Sequence, residues 1–209
     1  LSYSTPFHRT TSGKIQADNF DDNNLDPAWT YEENVAGNQV VEQNQRLEFT
    51  HAQHSYAHVQ RTFGGVENPI LIAKLQHVAD PPNEETWAIA LALWFNQYDW
   101  VAMRLTTQDD HIHPHWDKNG TAGWGDGASY TAGNWRYVKI RITATDVYFY
   151  YSTDGRTWTA LGSTTRPATW TIDANSLAIL GHGYEESGGA RPNPDWDNDG
   201  TTGSNISSY

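Results

Sequence analysis

The stretch WAIALALWFNQYDWVAMRLT, residues 87–106, constrains the fold more than any other part of the chain. At period two, Trp87, Ile89, Leu91, Leu93 and Phe95 fall on one face, and Ala88, Ala90, Ala92, Trp94 and Asn96 on the other. That alternation predicts a long strand. Residues 96–99 interrupt it, and the return segment sets Val101, Met103 and Leu105 against Trp100, Ala102, Arg104 and Thr106. A hairpin of this kind needs a covering layer for its apolar face. Its second face is lined with small alanines from which Trp94, Asn96, Trp100 and Arg104 stand out, so that face is the candidate working surface.

The flanking sequence reads as further strands. Alternation predicts strands over residues 14–20, 29–33, 39–42, 46–51, 56–63, 70–78, 135–143, 147–152, 156–161 and 176–184, separated by Asp, Asn, Gly and Pro turn formers. In residues 56–63, Tyr56, His58 and Gln60 share one side. A long excursion, residues 108–133, carries His111, His113 and His115 and a glycine-rich run, and is expected to be a functional loop. No segment sustains a period of 3.6 residues. The expected fold is all-β, a two-sheet antiparallel sandwich or jelly roll, with residues 1–13 as an extension and 14–209 as one domain.

Composition narrows the partners. The net charge of −12 opposes a phosphate backbone or an anionic bilayer, so nucleic acid is not expected. No apolar run reaches the roughly 18 to 20 residues of a membrane span. Cysteine is absent, which removes disulfides and thiol chemistry. The start, LSYSTPFHRTT, has no initiator Met, no basic segment and no apolar segment, as expected of a mature chain or an excised module. Ten Trp and eleven Tyr in a polar chain suit a secreted protein that touches carbohydrate; a monomer is expected.

Two segments carry a resemblance. DNFDDNNLDPAWTYEENVAGNQVVEQNQRLEFT, residues 18–50, has an Asp-rich turn, then L-D-P-x-W and a short strand ending near R-L. NWRYVKIRITATDVYFYYSTDGRTWTALGS, residues 134–163, holds a Y-x-S-x-D-G-x-x-W pattern. Together they resemble the early and late strands of the concanavalin A-like lectin and glucanase superfamily, which includes laminin-G-like sandwich modules. The resemblance implies two curved antiparallel sheets with a ligand site on the concave sheet or its loops. It also implies an accessory module, covalently linked to a catalytic domain in a secreted polysaccharide-degrading protein.

The residues discriminate among activities. Glucanases of that superfamily carry E-x-D-x-x-E on one strand, and this chain has no such motif; its acidic cluster at Asn83, Glu84 and Glu85 precedes the central strand. A polysaccharide lyase needs a base beside a cation, parts that Tyr56, His58, Lys74 and Arg104 could supply. Sugar binding needs an aromatic plate and a few polar groups. Trp94 offers the plate; Asn96, Arg104, Tyr56, His58, Gln60, Lys74, Gln76, His113, His115 and Trp116 are the candidate contacts, and no catalytic residue is assigned. The expected function is non-catalytic polysaccharide binding, with a lyase or hydrolase, or a structural or adhesive domain, as alternatives.

One local motif points to a metal. Asp195, Asp197 and Asp199 before Gly200 form D-x-D-x-D-G, which sets three oxygen side chains around a tight loop. With Asp21 or Asp22 from the first turn they are expected to hold a structural Ca²⁺. No organic cofactor is expected. His111, His113 and His115 alternate as Zn²⁺ ligands on one strand would, but Pro114 and the polar surroundings favour a solvated loop or the rim of the sugar site.

Overall fold

The computed structural model describes residues 20, 22–33, 39–50, 57–62, 66–77, 87–106, 110–184 and 203–207. Among them every regular element is a strand, and every pairing is antiparallel. The eight-stranded sheet contains β1 (Thr30–Glu33), β4 (Ala57–Thr62), β14 (Leu177–Tyr184), β6 (Trp87–Asn96), β7 (Asp99–Thr106), β8 (His111–Lys118) and β10 (Ala128–Ser129) in that spatial order, with β9 (Thr121–Trp124) also paired to β8. The seven-stranded sheet runs β13 (Thr159–Thr165), β12 (Asp146–Ser152), β11 (Trp135–Ile142), β5 (Ile70–His77), β15 (Gly203–Ser207), β3 (Arg46–Thr50) and β2 (Gln39–Gln43). The fold is an all-β two-sheet sandwich.

The core follows from the alternation. Ile89, Leu91, Leu93, Val101, Met103 and Leu105 are all at most 1% exposed and meet Leu71, Leu75, Val138, Ile140 and Phe149 of the facing sheet. Each such side chain contributes about 1.5 to 3 kcal/mol by leaving water. Aromatic pairs bridge the layers and close one end: Trp116 stacks on Phe149 at 5.9 Å, and Phe95 stacks on the fully buried Trp170 at 5.2 Å. Asp99 ties that end down. Its Oδ1 accepts Trp170 Nε1–H at 2.6 Å and the Asn119 N–H at 3.1 Å.

Turn chemistry sets the hairpins. Asn44 and Gln45 both have φ above 50°, as a two-residue primed turn between β2 and β3 requires, and Asn119-Gly120 repeats the arrangement between β8 and β9. The Y-x-S-x-D-G-x-x-W pattern closes β12 onto β13. Ser152 Oγ accepts the Asp154 and Gly155 N–H groups, and Asp154 Oδ1 accepts those of Arg156 and Thr157 at 2.8 Å. Gly155 supplies the φ of 70° at that corner.

The excursion expected as a loop is largely sheet. Residues 111–118 form a full strand against β7, and 121–124 return along it. Pro114 does not break this ladder. Its carbonyl accepts the Gly125 N–H on the side away from β7, so its missing donor faces the gap where β9 hands over to β10. The last β12 partner also starts later than expected, at Thr159 instead of residue 156.

Candidate functional site

The face of the eight-stranded sheet turned away from the core is built in rows by strand register. One row runs Glu32, His58, Gly181, Ala90, Arg104, His113; the next runs Gln60, Ile179, Ala92, Ala102, His115, Trp124; a third runs Thr62, Leu177, Trp94, Trp100, Asp117, Ala122. Glycine and alanine occupy the middle of the first two rows. Taller polar and aromatic groups stand on either side, about 4.8 Å apart from strand to strand.

Ionisable side chains are buried here on the non-core side of a sheet. Of the described polar and charged residues that are buried, His58, Arg104, His115 and Asp117 all belong to this face. Gly181 makes room for one of them: a Cβ there would lie 2.7 Å from His58 Cβ. His58 sits 3.5 Å from the Glu32 carboxylate, yet burial outweighs that charge and lowers its pKa, leaving the ring neutral. At the other side, Arg104 Nη1 donates to His115 Nδ1 at 2.5 Å. Burial first, then the charges of Arg104 and His113, lowers His115 to about 2.

That contact fixes the chemistry of His115. Arginine can only donate, so Nδ1 accepts and the ring proton resides on Nε2. Three buried polar atoms, His115 Nε2, Trp100 Nε1 and Asp117 Oδ1, have no hydrogen-bond partner among the described residues. Two donors and an acceptor are thus buried and unsatisfied on adjacent strands. Burial, the charge of Asp99 opposing ionisation in the same sense, raises the Asp117 pKa against the pull of the Gly120 and Thr121 N–H groups. The His115 ring lies edge-on to Trp100 at 4.8 Å and beside Trp124 at 5.4 Å. Trp124 is 70% exposed, the most open large aromatic of the described residues.

The expected site residues divide. His58, Gln60, Trp94, Arg104, His113 and His115 share the face, as alternation required; Trp94 is half-buried opposite Trp100. Asn96 does not reach it: after a register shift its amide donates to Asp99 Oδ2 at 3.0 Å and accepts the Tyr98 N–H at 2.9 Å, serving the turn. Trp116 points the other way, into the sandwich against Phe149. Lys74 and Gln76 belong to the other sheet altogether, on its outer side. Alternation assigns a face but not a layer, and β5 crosses to the opposite layer instead of pairing with β6. Tyr56, Asp21, Asp195, Asp197 and Asp199 lie outside the described residues, and Asp22 is exposed, its Oδ1 accepting the Asn24 N–H at 3.0 Å. No group of three His, Cys, Asp or Glu side chains suited to a metal occurs among the described residues. Trp124, read as part of a glycine-rich loop, was missed; Asn119-Gly120 between two alternating runs is the hairpin signal that locates it.

No protein-family model matches the sequence, and no curated protein matches it significantly. Solved structures do match. A non-specific endo-β-1,3(4)-glucanase of family GH16 superposes with a TM-score of 0.66 at 12% identity, over 97% of this chain and 93% of the glucanase chain. The catalytic domain of an endo-1,3-β-glucanase (laminarinase) from Thermotoga petrophila gives 0.64 at 12% identity, over 91% and 93%. A GH43 protein from Bacillus licheniformis gives 0.63 at 15% identity, over 90% of this chain but 37% of that one. The chain therefore spans well under half the length of the GH43 proteins it matches. At these identities the likeness is one of fold.

Proposed function

We propose that this chain is a non-catalytic carbohydrate-binding domain of the concanavalin A-like type, taking a polysaccharide on the open face of its eight-stranded sheet. One observation carries the reading: Trp124, 70% exposed, stands beside His115, in a buried cluster where His115 Nε2, Trp100 Nε1 and Asp117 Oδ1 have no hydrogen-bond partner among the described residues. An open indole beside fixed polar atoms is what the apolar face of a sugar ring and its hydroxyls require. The fold likeness to β-glucanases, and to GH43 proteins in which such a sandwich is only part of the chain, supports it.

The electrostatics favour binding over hydrolysis. On the described strands of this face the carboxylates are Glu32 and Asp117, separated by five strand steps. At about 4.8 Å per step that is roughly 24 Å, far beyond the 5 to 10 Å that paired glycosidase carboxylates span. His115 is equally unsuited as a lyase base, since Nδ1 is occupied by Arg104 and Nε2 carries the proton. A structural Ca²⁺ at Asp195, Asp197 and Asp199 belongs to the same proposal, and a fall in melting temperature on adding EDTA is its test.

Affinity electrophoresis in gels containing xylan or β-1,3-glucan tests the binding site. The wild type is expected to be retarded by at least one of the two, and Trp124→Ala to lose about 5- to 150-fold in affinity, the 1 to 3 kcal/mol of a stacked ring. Unchanged retardation in that variant removes the site; release of reducing or unsaturated ends replaces binding with catalysis.

A further inference from the structure

The outer side of the seven-stranded sheet carries a second, chemically distinct surface. On β11, Trp135, Tyr137, Lys139 and Arg141 point outward, because Val138, Ile140 and Ile142 fill the core. Their register partners are Gln76, Lys74, Ile72 and Ile70 on β5, and Tyr150 and Tyr148 on β12 face Lys139 and Arg141. Cations and rings interleave. Lys74 Nζ lies 4.8 Å from the Trp135 centroid, Lys139 Nζ lies 4.0 Å from Trp158 and 4.3 Å from Tyr150, and the Arg141 guanidinium lies 5.9 Å from Tyr148.

These cations have ring partners and no carboxylate partner among the described residues. On the outward side of β5, β11, β12 and β13 the only described carboxylate is Asp146, at the far end, where it accepts the Thr145 hydroxyl. Such a run is out of keeping with a chain of net charge −12. By register the backbone positions of Lys74, Lys139 and Arg141 span about 14 Å along the strands, at intervals of roughly 7 to 8 Å. Half-burial pushes the lysine pKa values of Lys74 and Lys139 down, a cost that an arriving anion relieves.

We propose that this face binds an acidic polysaccharide, its uronate carboxylates meeting Lys74, Lys139 and Arg141 while its rings lie against Tyr148, Tyr150 and Trp135. Sparse single cations match one carboxylate per sugar or two better than a dense polyanion. Duplex nucleic acid fits poorly, because it presents about one charge per 1.7 Å of axis to three widely spaced cations and keeps its base faces stacked away from Tyr148, Tyr150 and Trp135. A protein partner also fits less well: lysine is depleted in protein interfaces, and ammonium groups over the rings break up the apolar area such an interface would bury. The surface is independent of Trp124, which lies on the other sheet.

Affinity electrophoresis in polygalacturonate at low salt is the test, run beside dextran sulfate, poly-glutamate and the neutral glucan gels. The wild type is expected to be retarded by polygalacturonate despite its negative charge, with retardation fading as salt rises. Lys139→Gln combined with Arg141→Gln is expected to weaken this about tenfold, and Lys74→Gln alone about threefold, with Trp124→Ala at wild-type strength. Each variant is checked by its tryptophan fluorescence spectrum, and Lys74→Gln serves alone if the double variant does not fold. Retention of the charge variants at wild-type strength overturns the proposal. So does equal retardation by poly-glutamate, which points to an acidic protein, or retardation by dextran sulfate alone. Loss of neutral-glucan binding with polygalacturonate binding intact would bear on the Trp124 site only.

Discussion

The two outward sides of the sandwich handle positive charge and aromatic rings in opposite ways. On the eight-stranded sheet, Arg104, His58 and His115 lie among alanine and glycine and are buried, with Arg104 bonded to His115 and both rings held neutral by burial. On the seven-stranded sheet, Lys74, Lys139 and Arg141 stand among Tyr and Trp and stay partly in water over ring faces. Neighbour size decides the difference. Small neighbours let a polar side chain lie down and lose water, whereas rings prop a long aliphatic stem upright.

Matched substitutions should separate the two sides most sharply. Arg104→Met removes the donor to His115 Nδ1 inside the protein and is expected to lower unfolding free energy by about 2 to 3 kcal/mol in urea titrations. Arg141→Met, on the exposed side, should cost no more than about 0.5 kcal/mol. Equal losses would erase the distinction.

Acid should act on the two sides in different windows. His115 has a folded pKa of about 2 against 6.5 for a free histidine, so below pH 6.5 the unfolded chain binds a proton that the folded chain refuses. Its stabilising contribution is complete above 6.5 and is lost as pH falls, with a slope of at most about 1.4 kcal/mol per pH unit; His58 acts in the same sense. His115→Gln should flatten urea midpoints measured between pH 7 and 5. Asp154 behaves otherwise. Backbone N–H groups of Thr157 and Arg156 lower it to about 2, so what it adds is present above pH 3.8 and is lost as pH falls from 3.8 to about 2. Asp154→Asn should leave the pH 5 to 7 range untouched.

Smaller effects test packing at each side. At Gly127 a Cβ would sit 2.5 Å from His113 Cε1, so Gly127→Ala should displace that ring, cost about 1 kcal/mol and shift the His113 resonances in an NMR spectrum. Lys139→Met exchanges two cation–ring contacts for an apolar stem and should change stability by less than about 1 kcal/mol.

Much of this was legible in the amino-acid order. Ile89 to Leu105 gave the central hairpin and its two faces because the side-chain period of a strand is fixed by geometry. The pattern from Tyr150 to Trp158 marked a turn that now has an account in hydrogen bonds: Ser152 and Asp154 satisfy four backbone donors between them. What the order hid was layer and context. Pro114 and three histidines disguised an interior strand as a loop, although Ile112, Pro114 and Trp116 alternate with His111, His113 and His115 as cleanly as any segment. Lys74 and Gln76 were placed beside Arg104 because neighbouring strands usually pair, and here β5 and β6 do not. Asn96 read as a ligand contact because nothing local reveals that Asp99 claims its amide.

The divided partnership of β8 has a last implication. β9 stops where Pro114 offers no donor, and the ribbon that displays Trp124 is held by the short β8–β9 ladder, the Gly125 bond to Pro114, the Gly120 bond to Tyr98 and the Asn119 N–H on Asp99, while β7 holds β8 along its entire length. Residues 121–127, anchored at the Asn119-Gly120 turn, therefore form the exchangeable part of the rim. Swapping that segment would recast the surface offered to a sugar without rebuilding the scaffold beneath it.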